Sequence, residues 1–197
     1  LEFSCLLGVV PPRFQQADDQ PVSLDTLFRM ARGRAPSGEP AAACEMTKWF
    51  DTNYHYLVPE FTAGTKVFDE WAEARALGYD ARPVLVGPAT YLWLGKVTDD
   101  SGLDPFESGN RLAEDLIAVY QEILERLASL GADWVQLDEP ILALDLSPAQ
   151  RRFVEQAYAR LSQVAGLRLM VATYFGELRD NLTLFAGLPV AGLHIDA

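Results

Sequence analysis

The chain has 197 residues, of which 49% are hydrophobic and 22% charged, and its formal net charge is −12. This length and apolar content are typical of one folded domain with a substantial core, and they exclude an intrinsically disordered chain. The acidic balance disfavours nucleic acid and anionic membranes as partners, and no apolar run reaches the roughly 18 residues of a membrane span.

The first predicted helix begins near residue 24. Ser23 is a good N-cap and Asp25 favours the first helical turn, so we predict a helix that runs to about Ala31. Its predicted apolar face consists of Leu24, Leu27, Phe28 and Met30. The following segment, 33–40, is rich in Gly and Pro and is predicted to be a loop.

The segment 45–61 combines five aromatic residues, one of the two histidines and Lys48. Residues 46–50 favour a strand, and the turn-forming residues 51–53 predict a polar loop after it. In α/β proteins ligands bind where strands end, so a lysine there suits an anionic ligand and the aromatic rings suit a flat one. The alternative is a core strand with packing aromatics and a solvated lysine paired with a neighbouring carboxylate.

The remainder of the chain alternates between strands and helices. Predicted strands cover 83–88, 133–140, 167–175 and 190–196, and predicted helices cover 67–77, 112–130, 148–164 and 181–186. The first of these helices is predicted to turn Phe68, Trp71 and Leu77 inward. The alternation predicts a parallel sheet with crossover helices. Neither GxGxxG nor a Walker motif occurs, so a nucleotide-binding sheet is disfavoured. Five strands with polar C-terminal ends favour a partial (βα)8 barrel of the TIM type, in which strands are missing at both ends.

Asp138 and Glu139 end one predicted strand. Because adjacent strand residues point to opposite faces, the two carboxylates are not expected to share a site as a glycosidase pair does. We predict that one of them points inward into a hydrogen-bond network. The competing hypothesis is a stand-alone barrel hydrolase that uses Asp138 and Glu139 as acid and base.

The histidines and cysteines predict no metal site. His194 and Asp196 face the same side of their strand and are predicted to form a hydrogen-bonded pair in the barrel core, since a zinc site needs more ligands nearby. His55 is predicted to be a satisfied core or loop histidine rather than a base. Cys5 and Cys44 are isolated, and no CxxC occurs, so they predict buried thiols in a reducing cytoplasm.

Five stretches together resemble one known family. Residues 46–56 read Met-Thr-Lys-Trp-Phe-Asp-Thr-Asn-Tyr-His-Tyr, which closely resembles a signature of the cobalamin-independent methionine synthases. Four further stretches agree with this family in order, namely 33–40, 83–88 with 91–96, 135–140 and 192–196. The resemblance spans essentially the whole chain, and an 11-residue match containing Trp and His is highly specific.

The resemblance implies a two-barrel methyltransferase that moves a methyl group from 5-methyltetrahydropteroyltriglutamate to homocysteine. Residues 1–197 would form about the third to the seventh strands of its N-terminal barrel, with the C-terminal barrel as partner. The family's zinc ligands (His, Cys, Glu and Cys) belong to that second barrel, so no catalytic residue or metal ligand is expected here. One folate contact carries over, at Lys48.

This sequence departs from the family at two places. The family's opening strand, with its Arg-Glu-Leu-Lys folate contact, is absent, and the segment after Phe61 is shorter than usual. The sequence also begins without Met on an apolar run that lacks the features of a signal peptide. We therefore expect a fragment of a longer enzyme that is inactive alone. The alternative within this resemblance is a non-catalytic folate-binding or structural module, the relic of a duplicated barrel.

Overall fold

The computed structural model describes residues 11–14, 22–48, 50, 52–53, 55–57, 66–95, 104–107 and 111–196. The chain divides into two compact units, one made of Leu1–Glu70 with Leu94–Lys96 and the other of Trp71–Trp93 with Val97–Ala197. Among the helices of the described ranges, none combines the length and the apolar character that crossing a membrane requires.

The first unit contains helix α1 (Leu24–Arg32), which confirms the predicted helix. The Ser23 side chain accepts a hydrogen bond from the Thr26 N–H, as its N-cap role requires. Gly33 ends the helix in the left-handed conformation that glycine adopts without strain, with φ of 79°. Of the predicted apolar face, Leu27 and Met30 are buried, whereas Leu24 and Phe28 are exposed.

The loop after α1 folds back on that helix. The Arg29 guanidinium donates to the Glu39 carbonyl oxygen at 2.8 Å, and the Asp25 carboxylate accepts from the Ser37 N–H at 3.1 Å. Gly38 has φ of 84°, a left-handed conformation that favours glycine, and a Cβ there would lie 2.7 Å from Arg29 Nη1, so the Arg29 side chain would have to shift. The predicted loop is therefore ordered and packs against helix α1.

Strands β1 (Met46–Lys48) and β2 (His55–Leu57) form an antiparallel pair in which Lys48 lies opposite His55. We expected residues 46–50 to join the parallel sheet, and that expectation was wrong. Thr52 and Asn53 lie in bends between the two strands, where residues of this type reverse the chain. The predicted turn is confirmed, but it joins two antiparallel strands into a hairpin.

The second unit contains a four-stranded parallel sheet in the order β3-β4-β5-β6. Its strands are β3 (Val84–Val86), β4 (Trp134–Asp138), β5 (Arg168–Ala172) and β6 (Gly192–His194). Among the described residues the parallel sheet thus has four strands, not the five expected. Sequence order equals spatial order, which is the pattern that consecutive crossover helices produce. The α/β prediction is confirmed.

The helices that follow α1 in the described ranges are α2 (Lys66–Ala76), α3 (Pro88–Leu94), α4 (Arg111–Ser129), α5 (Pro148–Leu161) and α6 (Leu182–Ala186). Short 3-10 turns cover Pro12–Phe14, Pro140–Ala143 and Arg179–Asn181. Helix α5 begins with a capping box between Ser147 and Gln150. Leu77 is 67% exposed, so the prediction that it points inward was wrong; it lies just past the end of α2.

Alternation along the strands gives the sheet two different faces. One face carries the buried side chains Leu85, Val135, Leu137, Leu169 and Val171, and only Leu193 on the edge strand β6 is exposed there among the described residues. The other, which we call the open face, carries partly exposed side chains at Val86, Gln136, Asp138 and Met170 and an exposed one at His194. The polar side chains of the sheet, Gln136 and Asp138, are therefore reached from solvent on the open face or at its carboxyl edge.

Candidate functional site

The two carboxylates at the end of β4 belong to separate hydrogen-bond groups. Asp138 is the last residue of the strand and lies in the same row of the open face as Val86. Glu139 follows it, and its side chain is completely buried. The prediction that one carboxylate points inward into a network is confirmed, and that residue is Glu139.

Glu139 accepts hydrogen bonds from four donors. One oxygen, Oε1, accepts from the Ala89 N–H at 3.0 Å and from the Tyr158 hydroxyl at 2.9 Å. The other, Oε2, accepts from the Thr90 N–H at 2.7 Å and from the Thr90 hydroxyl at 2.6 Å. Helix α3 thus receives its N-terminal cap from Glu139, the residue after β4, rather than from its own sequence, and the same carboxylate accepts a hydrogen bond from Tyr158 of α5.

The pKa of Glu139 is set by two opposing effects. The pKa is raised to about 7, because burial raises it by more than the hydrogen bonds from Thr90, Ala89 and Tyr158 lower it. Burial also raises the pKa of the Tyr158 hydroxyl, and the neighbouring Glu139 charge adds to that effect. Because the Glu139 carboxyl is inaccessible to solvent, it cannot touch a substrate that binds at the surface of this unit.

Asp138 faces the other way, and protein donors orient it. Its Oδ1 accepts from Gln136 Nε2 at 2.7 Å, and its Oδ2 accepts from the Tyr174 hydroxyl at 3.2 Å. Gln136 Oε1 in turn accepts from Arg82 Nη2 at 2.7 Å. Burial raises the pKa of Tyr174, and the Asp138 charge raises it further, so this hydroxyl stays protonated and acts as a donor. A hydrolase would need both carboxylates at one substrate, and this arrangement does not provide that.

The other predicted site residues belong to other elements of the fold. Lys48 is the last residue of β1, and its side chain is exposed; its role as a folate contact stays a prediction. His55 belongs to β2, but its side chain lies outside the described residues. His194 and Asp196 are both exposed, so their predicted burial in a core was wrong. His194 ends β6, which is the edge strand of the described sheet.

The described residues do not fit a zinc centre. No group of three or more His, Cys, Asp or Glu side chains within the described ranges is placed to hold a metal ion. Cys44 is buried, as predicted, and its sulfur lies 3.8 Å from Arg13 Nη2 rather than beside other metal ligands. Cys5 lies outside the described residues.

Sequence reasoning missed the partners of both carboxylates. Thr90 was assigned to no functional group, Tyr158 was counted only as part of a helix, and Tyr174 was placed at the end of a strand. One signal was available: a buried tyrosine needs a partner for its hydroxyl, and Tyr158 falls on the apolar side of its helix. Nothing in the local sequence identifies Glu139 as that partner.

Comparison with known proteins identifies the family. The family model described as "Cobalamin-independent synthase, N-terminal domain" matches residues 1–197. The chain belongs to this family. It is 51% identical over 203 aligned residues to the 5-methyltetrahydropteroyltriglutamate–homocysteine methyltransferase of Klebsiella pneumoniae subsp. pneumoniae, in an alignment that covers all of this chain. The chain spans about a quarter, 26%, of that relative's length.

The Glu139 network connects two of the stretches that resemble the cobalamin-independent synthase family. The stretches 83–88 and 135–140 form β3 and β4, which pair side by side with Val86 opposite Asp138. Gly87 belongs to the first stretch and Glu139 to the second. Two of the stretches that resemble the family therefore contact each other at a buried position.

Proposed function

We propose that this chain is part of the N-terminal barrel of a cobalamin-independent methionine synthase. The whole protein would transfer a methyl group from 5-methyltetrahydropteroyltriglutamate to homocysteine and so form methionine in the cytoplasm. The observation that supports this most strongly is the 51% identity, over the full chain, to a relative named for that reaction.

The described sheet supports the barrel part of the proposal. Parallel strands β3 to β6 follow one another in spatial order, with helices between them, as consecutive strands of a (βα)8 barrel do. An open four-stranded sheet has two edges, and closing it with further strands of the whole protein would remove both. The open face of the sheet would then line the barrel interior.

In this proposal the chain contributes scaffold and folate binding, and the chemistry takes place elsewhere. Zinc would act in the C-terminal barrel as a Lewis acid that holds homocysteine as its thiolate, with ligands that the described residues here do not supply. Lys48 would contact the glutamate tail of the folate. Its exposed position at a strand end makes a compact positive charge accessible to a carboxylate chain.

The proposal is tested with the full-length protein and with this chain in parallel. We expect the full-length protein to form methionine from homocysteine and 5-methyltetrahydropteroyltriglutamate, and to lose this activity when a chelator removes zinc. This chain alone should hold no stoichiometric zinc by elemental analysis and should form no methionine. A full-length protein that is folded and zinc-loaded but forms no methionine would overturn the proposal. The remaining alternative would then be a non-catalytic folate-binding or structural module, which folate binding without turnover would support.

A further inference from the structure

One group of side chains on the second unit is unused by the proposed function. It lies at the carboxyl edge of the parallel sheet and consists of Asp138, Tyr174 and Phe175. Each Asp138 oxygen accepts one hydrogen bond from the protein, from Gln136 or from Tyr174. A carboxylate oxygen can accept about two, so each retains capacity for one more donor. The carboxylate is therefore held in a fixed orientation and is partly exposed.

Phe175 follows Tyr174 in the chain and has a strained backbone. Its φ is 73°, a left-handed conformation that is uncommon for a bulky residue, and its side chain is 52% exposed. The ring packs edge-on against Tyr174, with centroids 4.7 Å apart and an interplanar angle of 87°. Glycine would adopt this backbone without strain. An exposed aromatic ring kept in a strained position is a feature of ligand-binding sites.

The carboxylate is accessible from one side of the sheet only. Asp138, Ala172 and His194 lie in one row across three adjacent strands. Neighbouring strands are about 4.8 Å apart, so the backbones of Asp138 and His194 are separated by roughly 10 Å. Ala172, the middle residue of this row, is only 2% exposed, so the sheet face itself is covered at that point. A ligand therefore reaches the partly exposed Asp138 carboxylate from the carboxyl edge of the sheet, where the chain that follows β5 places Tyr174 and Phe175.

We propose that Asp138, Tyr174 and Phe175 form a binding site for a planar cation with two parallel N–H donors, that is, an amidinium or guanidinium group. A fixed carboxylate pairs with two such donors in a bidentate arrangement, which a rounded ammonium group cannot match. The Phe175 ring supplies an aromatic contact for a flat or positively charged group. The net charge of −12 favours the approach of a cation. The proposal does not depend on methyl transfer.

Benzamidine is the probe that tests the site with this chain. It combines an amidinium with a flat ring, and benzamide is its neutral analogue of nearly the same shape. Calorimetric titration should show saturable binding of benzamidine and much weaker binding of benzamide. Asp138→Asn should weaken benzamidine binding by about tenfold, because the bidentate charged pair is lost. Phe175→Ala should weaken it by about threefold.

Two controls distinguish a specific binding site from nonspecific attraction of a cation to the acidic chain. Glu177 is an exposed carboxylate two residues beyond Phe175, and Glu177→Gln removes the same charge as Asp138→Asn. We expect Glu177→Gln to leave benzamidine affinity within about twofold of the unsubstituted chain. The tripeptide Gly-Arg-Gly distinguishes the source of the group: binding comparable to benzamidine assigns the site to an arginine side chain, and binding of benzamidine alone assigns it to a ring-bearing small molecule. Equal binding of benzamidine and benzamide, or equal losses for Asp138→Asn and Glu177→Gln, would overturn the proposal.

Discussion

The Glu139 side chain occupies the space beside Gly87 that any other residue's Cβ would need. A Cβ at Gly87 would lie 2.1 Å from Glu139 Cδ and 2.3 Å from Oε1, far inside van der Waals contact. The Gly87 N–H also donates to the Asp138 carbonyl oxygen at 2.7 Å, so the backbone there is fixed by β4. Glycine at 87 is therefore required by close approach, and its φ is not in the left-handed region.

This contact predicts the effect of Gly87→Ala. The new methyl group must displace the Glu139 carboxylate, which weakens its hydrogen bonds to Ala89, Thr90 and Tyr158. We expect the free energy of unfolding in urea to fall by about 3 kcal/mol, combining overpacking with buried hydrogen bonds lost. The control is Gly176→Ala, where a Cβ would meet Ala143 Cβ at an ordinary 3.5 Å. Equal small losses for both variants would contradict this account.

The raised pKa of Glu139 predicts a pH dependence of stability with a definite sign. The pKa is about 7 in the folded chain and 4.5 for the unperturbed carboxyl, so the folded state binds this proton more tightly. Its contribution is therefore fully present below about pH 4.5 and is lost as the pH rises through 7. The difference corresponds to about 3 kcal/mol.

Comparison with Glu139→Gln isolates this contribution from that of the other titrating groups. Glutamine cannot titrate, and its NH2 group would face a backbone N–H of Ala89 or Thr90, which leaves one buried donor unsatisfied. We expect Glu139→Gln to be clearly less stable than the unsubstituted chain at pH 5, and the gap to shrink by about 3 kcal/mol at pH 8. Urea unfolding at both pH values measures this. Parallel stability curves for the two proteins would show that Glu139 does not titrate in this range.

Tyr158→Phe tests whether the Tyr158 hydroxyl affects the pH dependence of stability through the pKa of Glu139. The substitution removes one of the hydrogen bonds that lower the Glu139 pKa, so that pKa should rise and the pH-dependent loss should shift upward. The cost in stability should be about 1 kcal/mol at neutral pH. Tyr120→Phe is the matched control, since the Tyr120 hydroxyl donates to the Val86 carbonyl oxygen instead. Tyr120→Phe should cost a similar amount without shifting the pH profile; identical profiles for both variants would refute the coupling.

Elements with complete local signals were predicted well from the sequence. Helix α5 has its N-cap and first-turn proline in the sequence, and α4 has a long apolar periodicity, so both were placed within a few residues. Helix α3 was missed because its N-terminal donors are satisfied by Glu139, some 50 residues away. The strand predicted over 83–88 accordingly ends at Val86, and Pro88 begins the helix.

The candidate site was predicted only in part, because local sequence does not show which distant residues will be in contact. Alternation along β4 was enough to separate Asp138 from Glu139, because it depends only on adjacent residues. The partners of these carboxylates come from other helices and strands, and tertiary contacts of this kind leave no mark in local sequence. His194 was placed in a core because its strand is apolar, but an edge strand leaves its last residues exposed.

The prediction for Lys48 requires the full-length protein. Lys48→Met should weaken binding of the triglutamylated folate more than binding of the monoglutamate, because the positive charge would pair with tail carboxylates. Since Lys48 is exposed, solvent screening limits the effect, and we expect about fivefold weaker binding of the triglutamate. Methionine retains much of the side-chain stem, so stability should change little.

Two measurements test whether the effect of Lys48→Met on folate affinity is electrostatic: its dependence on salt and the affinity for homocysteine. The affinity difference between Lys48→Met and the unsubstituted protein should shrink as salt is raised, because the charge is open to solvent. Homocysteine affinity should stay the same, since that pocket is proposed to lie in the other barrel. Titrations of both folates and of homocysteine at low and high salt provide the measurement. If both folates lose affinity equally, with no salt dependence, then Lys48 has a structural role in the β1–β2 hairpin and does not contact the glutamate tail.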